Sequence, residues 1–408
     1  MHLRQASERQ KQIATIITFF TIPLSGFMTD IYLPSFPSMA ENLSVSEKSI
    51  QLTLTCFFLS YGFAQLFVGS LLDSLGRYKP VLFSLIALII SSLAITWTDQ
   101  VWVICFWRIV QGLGTSFIVV AKRAYFVDLY DEVKRKHFLS FFTIVWSCGP
   151  IIAPFLGGYL ESLFDWQANF YFLAIYAAIL FFAELIFSGE TIRNVKKFNL
   201  KKTSMLYAVM LKNKAFVLGI LILGLAYSTV MVFNIAGPFV VEHHFGFDAV
   251  TTGYCTLILG ISWMIGGILS KTFASQNFPQ KLRISAFAQI VLLLVFIAAA
   301  TQLDHLYLLI AFAFVIHIVS GFIFTNYFTQ NMIYFPSNAG IAGGLIGGLL
   351  YIITSISSFV ISSSGEIATT FDMSLRYLGV GIPLILVIFY STFLILKNNK
   401  RKGIAKNH

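Results

Sequence analysis

Two side chains in this sequence could do chemistry that their surroundings make costly to keep. Asp30 lies in the stretch Gly26 to Pro37, GFMTDIYLPSFP, inside an apolar run, and Arg108 lies inside another. An ionised Asp at the centre of a membrane helix costs about 2.5–3.5 kcal/mol, so a chain that keeps one faces it to a cavity or pairs it with a cation. Burial favours the neutral carboxyl and a nearby guanidinium favours the carboxylate, so a proton on Asp30 can come and go with the side the residue faces. Arg108 stays charged and cannot carry that proton. Its expected role is to tune Asp30 and, with Gln111, to hold polar groups on the face 108, 111, 112, 115. The plainer alternative is a static ion pair that fixes helix register. Pro34 and Pro37 predict a break in the helix just after Asp30, with unpaired carbonyls there.

These residues carry that meaning only in a membrane protein, and the composition indicates one. Of 408 residues, 57% are hydrophobic and 11% charged, outside the range of soluble globular domains. Apolar runs long enough to cross a bilayer fall at 13–34, 49–72, 80–98, 101–121, 138–160, 167–188, 215–237, 249–271, 284–302, 305–327, 339–363 and 375–396. Lipid offers backbone groups no water, so the expected fold is all-α and integral to the membrane: 12 transmembrane helices in two six-helix bundles. The first bundle is expected at 1–188, a basic cytoplasmic linker at 189–214, the second bundle at 215–397 and a cytoplasmic tail at 398–408. Transporters on this 6 + 6 plan hold solute near the midplane between the halves. At 1.5 Å per residue, Asp30 and Arg108 both fall about 6–10 Å in from the outer face, within reach of a direct or water-bridged contact.

The net charge of +10 is a topology signal rather than a nucleic-acid footprint. Of 28 Lys and Arg, 25 sort to one side, only Lys48 and Arg376 to the other, and Arg108 lies within a span, which predicts both termini inside. Arg193, Lys196, Lys197, Lys201, Lys202, Lys212 and Lys214, with the tail from Lys397 to Lys406, can also touch anionic lipid head groups. Cys56, Cys105, Cys148 and Cys255 fall in spans without metal or redox spacing and read as small core residues. The first span is too long for a cleaved signal peptide and reads as retained. No phosphate-binding loop is present, and no cofactor or metal is expected.

The halves differ in character. The first carries Asp30 and Arg108; the second offers Tyr227, Asn234, Trp263, His317, Asn326 and Tyr351, which with Tyr32 and Gln111 are the candidates to line a solute cavity. His317 reads as a neutral hydrogen-bonded histidine, and Glu184, near the inner end of its span, as a side chain that snorkels to water. In the fifth span Gly149, Ala153 and Gly157 make a small-residue face, and Pro150 and Pro154 weaken the same helix, which suits either a gate or a packing seam. Gly340, Gly344 and Gly348 repeat that spacing in the eleventh. Between the second and third spans, Gly69-Ser-Leu-Leu-Asp73-Ser-Leu-Gly76-Arg77-Tyr-Lys79 gives a tight basic turn in which Asp73 can receive a cation.

That turn resembles the signature loop of the major facilitator superfamily. Arg108-Ile-Val-Gln111-Gly112 is similar to its fourth-helix motif, in which the Arg is linked to proton coupling. Trp146-Ser-Cys-Gly149-Pro150-Ile-Ile-Ala153-Pro154-Phe-Leu-Gly157-Gly158 is similar to the fifth-helix motif of antiporters. Thr29-Asp30-Ile-Tyr32-Leu33-Pro34-Ser-Phe-Pro37, with Asn234-Ile-Ala-Gly237-Pro238-Phe, resembles the bicyclomycin-resistance branch of drug:proton antiporters. The sequence departs from that branch at Ser74, where an Arg is common, in the heavily charged loop Lys122 to His137, and at Ile22, where some relatives have a second carboxylate. The resemblance implies a monomeric inner-membrane exporter exchanging protons for a small drug-like solute, with Asp30 and Arg108 coupling the proton. Asp73, Gly76, Arg77, Gly149, Pro150, Pro154 and Gly157 would serve gating and packing. The expected partners are solute, protons and bilayer, not nucleic acid. An alternative keeps the fold and carries an endogenous metabolite such as a siderophore, sugar or nucleobase; for an anionic siderophore, Lys122 and Arg123 would be the available cations. A membrane-embedded enzyme would need a second catalytic group level with Asp30, and none is evident.

Overall fold

The computed structural model describes residues 2–192, 195, 200–335 and 338–404. Arg193, Lys196 and Lys197 of the basic linker and Lys406 of the tail lie outside the described residues.

The first expected span is built in pieces. Helix α1 (Glu8–Thr21) is capped by the Ser7 hydroxyl and gives way at Ile22 and Pro23 to α2 (Leu24–Asp30). A 3₁₀ turn over Leu33–Ser35 follows, and α3 (Phe36–Asn42) completes the span. The break after Asp30 expected from Pro34 is present; the earlier one at Pro23 is not foreseen, although a proline's missing N–H and ring clash produce it for the same reason.

All the other helices but α9 are longer, and five of them begin at a side-chain cap that satisfies one of the free N–H groups of the first turn. They are α4 (Glu47–Leu75), α5 (Tyr78–Thr96), α6 (Val101–Leu129), α7 (Glu132–Leu163), α8 (Trp166–Phe187), α9 (Leu200–Leu211) and α10 (Lys214–Phe239). Then come α11 (Ala249–Thr272), α12 (Phe278–Ala300), α13 (Leu306–Tyr334), α14 (Ala339–Ser363) and α15 (Thr370–Ile404). Ser46, Asp131, Asp165, Asn213 and Asn277 cap α4, α7, α8, α10 and α12. Among the described residues, eleven helical segments are long and apolar enough to cross a membrane. The remaining expected span, 138–160, lies within the 32 residues of α7.

The chain forms two compact units, Met1–Ser204 with Phe247–Leu257, and Met205–Gly246 with Ile258–His408. In the first, α6 packs against α4 and α5, and α5 against α8. Gly112 sets the α4–α6 approach, because a Cβ there would fall 2.1 Å from the Ser60 hydroxyl and 2.6 Å from the Phe57 carbonyl. In the second unit, α10 packs against α13, α14 and α15, and α12 against α15. Gly340 and Gly343 have no atom within 4 Å of a would-be Cβ, so this end of α14 is not the close-contact seam its spacing suggests. The expectation that all four cysteines are core also needs correcting: Cys148 is exposed on α7, which turns its glycines rather than this thiol inward.

Candidate functional site

Asp30 is the last residue of α2, and α7 presses that helix into place. A Cβ on Gly149 would stand 2.8 Å from the Pro23 carbonyl, one on Gly26 would stand 2.5 Å from Pro150, and one on Gly157 would stand 1.6 Å from the Ile31 carbonyl. Below the break, the Asn169 amide donates to the Ser35 hydroxyl at 2.8 Å, so α8 fixes the turn that follows Asp30. The fifth-span motif is therefore a backbone-to-backbone seat for the Asp30 segment.

Arg108 on α6 is fully buried, and Asp30 is 1% exposed. Nη1 of Arg108 donates to the Met28 carbonyl at 2.8 Å and to Gln111 Oε1 at 2.6 Å, and Gln111 Nε2 donates onward to the Ser92 hydroxyl. Met28 lies in the last turn of α2, where carbonyls lack intrahelical donors and a cation is stabilising. The guanidinium also lies over the rings of Tyr32 at 4.4 Å and Phe57 at 4.5 Å, contacts of about 0.5–2 kcal/mol each where water is excluded. Tyr32 is held in turn by a 3.1 Å contact of its hydroxyl with that of Thr53.

Asp30 Oδ2 has the Thr29 hydroxyl at 2.7 Å. Among the described residues, Oδ1 of Asp30 and Nε and Nη2 of Arg108 have no hydrogen-bond partner, so the two residues share a locus without bonding directly. A buried acceptor and two buried donors left open are costly unless water or a polar solute group fills them. The site can thus exchange a proton on the carboxyl and accept a polar group beside a fixed cation.

The basic turn forms a second cluster. Gly76 ends α4 with φ at 88°, a conformation that favours glycine, and a Cβ there would stand 2.4 Å from Glu190 Oε2. Arg77 bonds Asp73 at 2.7 Å and Asp128 at 3.1 Å. The Glu190 carboxylate accepts from the backbone amides of Arg77, Tyr78, Thr191 and Ile192. Glu190 and Asp128 escape sequence reasoning; the only signal is a carboxylate placed just after a span, opposite a basic turn.

Two expectations are corrected. Glu184 does not snorkel: it is 1% exposed and forms a buried ion pair with Lys122, because the α6 ammonium meets it inside the bundle. Lys122 is thereby committed and is not a free cation for an anionic solute; Arg123 lies over the Phe142 ring.

In the second unit, Tyr227 gathers Trp263 and Tyr351, with ring centroids 6.2 and 5.9 Å away, and Phe324 extends the group 5.2 Å beyond Trp263. Phe324 is not foreseen, since 42 phenylalanines give none a distinguishing signal. His317 is buried with Nε2 3.1 Å from the Tyr377 hydroxyl. Asn234 and Asn326 are buried apart from these contacts, the Asn326 amide donating to the Phe322 carbonyl.

The sequence profile of the Major Facilitator Superfamily matches residues 18–358. A bicyclomycin resistance protein homolog of Haemophilus influenzae is 26% identical over 403 residues, covering 96% of this chain and 100% of that protein. Multidrug resistance protein D of Escherichia coli is 26% identical, covering 93% and 96%. Among solved structures, a D-xylose–proton symporter superposes with a TM-score of 0.71 at 14% identity, covering 93% of this chain and 97% of that one, a likeness of fold alone.

Proposed function

The chain belongs to the Major Facilitator Superfamily, and from that premise we propose that it exports small drug-like organic solutes in exchange for protons, with Asp30 as the proton site. The observation that carries this reading is the open pair of groups in the bundle: a buried carboxyl with one unpaired oxygen beside a guanidinium with two unpaired nitrogens. The names of the bicyclomycin and multidrug resistance relatives support a drug-like cargo. Arg108 keeps Asp30 usable by holding the end of α2 through Met28 while leaving its remaining nitrogens free for solute or water.

The exchange follows from competition at one locus. A proton entering from outside neutralises Asp30 and lowers its attraction for a polar or cationic solute, which leaves; loss of the proton on the inner side restores the carboxylate for the next solute. Each charge moved down 100 mV gains about 2.3 kcal/mol, which with a pH gradient supports uphill export.

The protein is a multi-pass membrane protein. The bacterial resistance relatives support an inner-membrane placement, and the Lys and Arg bias supports both termini being cytoplasmic. In that arrangement 1–188 and 215–397 are the six-helix halves of a monomer, 189–214 is the cytoplasmic linker and 398–408 the tail. Binding of Lys122 to Glu184 counts against an anionic siderophore as cargo. The test is flux in proteoliposomes carrying an imposed pH gradient, with bicyclomycin and the planar cation ethidium as solutes. Asp30→Asn is expected to insert and fold but to lose gradient-driven flux; normal driven flux in that variant removes Asp30 from the mechanism.

A further inference from the structure

The buried ion pair between Lys122 on α6 and Glu184 on α8 lies at the end of the first unit that carries the Gly76–Lys79 turn, and the Asp30 site makes no use of it. An apolar pair of similar size is often as stable or more so at such a position, so packing alone does not account for two charges there.

The first span and α6 run antiparallel, and three contacts fix their register. Arg108 meets the Met28 carbonyl, Lys122 Nζ lies 3.4 Å from the Thr18 hydroxyl, and the Tyr125 hydroxyl lies 3.0 Å from that of Thr15. From the first contact to the second the first span runs back ten residues while α6 runs forward fourteen, and from the second to the third both move three. Residues 108, 111, 115, 118, 122 and 125 recur at three- and four-residue steps and occupy one face of α6, and residues 15, 18, 22, 25 and 29 keep the same steps across the turn that joins α1 to α2. Every member is buried, and apart from Ile22 and Ile118 each carries a polar group. A polar seam therefore runs from Asp30 to Lys122 and Glu184, with Ile22 and Ile118 its two apolar members.

We propose that Glu184, released from Lys122, is the inner proton-exchange group of the pathway whose other carboxyl is Asp30, and that the seam between α1–α2 and α6 connects them. The O–H bond of the Asp30 carboxyl breaks, the proton passes through hydroxyls and intervening water, and an O–H bond forms on Glu184 as its contact with the Lys122 ammonium opens. Loss of that proton to water restores the ion pair. A small cleft beside the pair, lined by Arg77, Tyr78, Tyr125 and Thr191, provides the way out. Glu184 is bonded by the Lys122 ammonium; Arg77, Tyr78 and Tyr125 line the same cleft, with the Arg77 guanidinium held by Asp73 and Asp128, and Thr18 faces Lys122 from α1. Ile22, in one apolar cluster with Tyr125 and Phe126, interrupts the hydroxyls of the first span and Ile118 those of α6, which keeps the route shut to free proton leak.

The inference rests on the antiport reading, and the experiment separates the two. Native protein, Glu184→Gln and Glu184→Asp are reconstituted in vesicles with a trapped pH dye, with bicyclomycin and ethidium as solutes. Glu184→Gln is expected to keep solute–solute counterflow within about twofold of native while proton-driven uphill flux falls by about tenfold or more, and Glu184→Asp, which keeps an exchangeable proton, restores driven flux. Driven flux at the native level in Glu184→Gln overturns the inference and leaves the antiport reading intact. Parallel loss of counterflow and driven flux in both variants also overturns it, because a structural pair behaves that way. Should Glu184→Gln fail to fold, Lys122→Met/Glu184→Met removes both charges together, and uncoupled counterflow is expected from it; coupled transport in the double variant is contrary. Native vesicles that move no protons with either solute overturn the antiport reading and this inference with it.

Discussion

Arg108 reaches Asp30 through the backbone: its Nη1 donates to the Met28 carbonyl at 2.8 Å, two residues before Asp30, and no hydrogen bond joins the two side chains. The guanidinium thereby fixes the helix end that presents the carboxyl without satisfying the carboxyl itself. A simple ion pair would have closed the site; this arrangement leaves an oxygen and two nitrogens open for water or solute.

The planar fork is needed for that division of labour, so Arg108→Lys keeps the charge but cannot hold Met28, Gln111 and the two aromatic faces together. Driven flux is expected to fall by about tenfold or more, with a lowered thermal unfolding midpoint from the lost buried contacts. Native driven flux would reduce Arg108 to a diffuse positive charge.

Glycines in the two small-residue stripes are expected to behave oppositely. Gly157→Ala forces a methyl to 1.6 Å from the Ile31 carbonyl and displaces the segment after Asp30, whereas Gly340→Ala meets nothing within 4 Å. Overpacking of this kind costs about 1–3 kcal/mol or more, so Gly157→Ala loses both stability and transport while Gly340→Ala retains both. Thermal unfolding in detergent and flux in vesicles check the contrast.

Acid should weaken the start of α11. The hydrogen bonds from the Thr251 hydroxyl and amide, 2.6 and 2.8 Å from Asp248 Oδ1, hold the Asp248 carboxyl below the usual Asp range. A depressed carboxyl contributes stability above its unfolded value, near pH 4, and that contribution is lost as pH falls through the lower folded value. Asp248→Asn is therefore expected to lower the unfolding midpoint at pH 7 and to differ less from native near pH 3. An equal difference at both pH values is contrary to this.

Much of this was legible in the sequence, and the part that was not has a common cause. Twelve apolar runs specify helices because lipid leaves the backbone no other solution, and Asp30 and Arg108 stand out because charge is costly there. The Asp73–Arg77 contact is also local, one helical turn apart. Lys122 and Glu184 are 62 residues apart, and nothing in either neighbourhood names the other; reading Glu184 alone sends it to water. The partner that ties Arg108 to the first span is a backbone carbonyl, which no residue type announces. Glu190 is similar: it binds amides of the basic turn, and amides leave no pattern in a sequence.

The most direct measurement is proton release from purified protein as bicyclomycin or ethidium is added, native chain against Asp30→Asn, at constant pH in weak buffer. Release is expected from the native chain on solute binding and none from Asp30→Asn while that variant remains folded. Equal release from both, or solute binding to the native chain with no release, contradicts Asp30 as the proton site and returns it to a structural role.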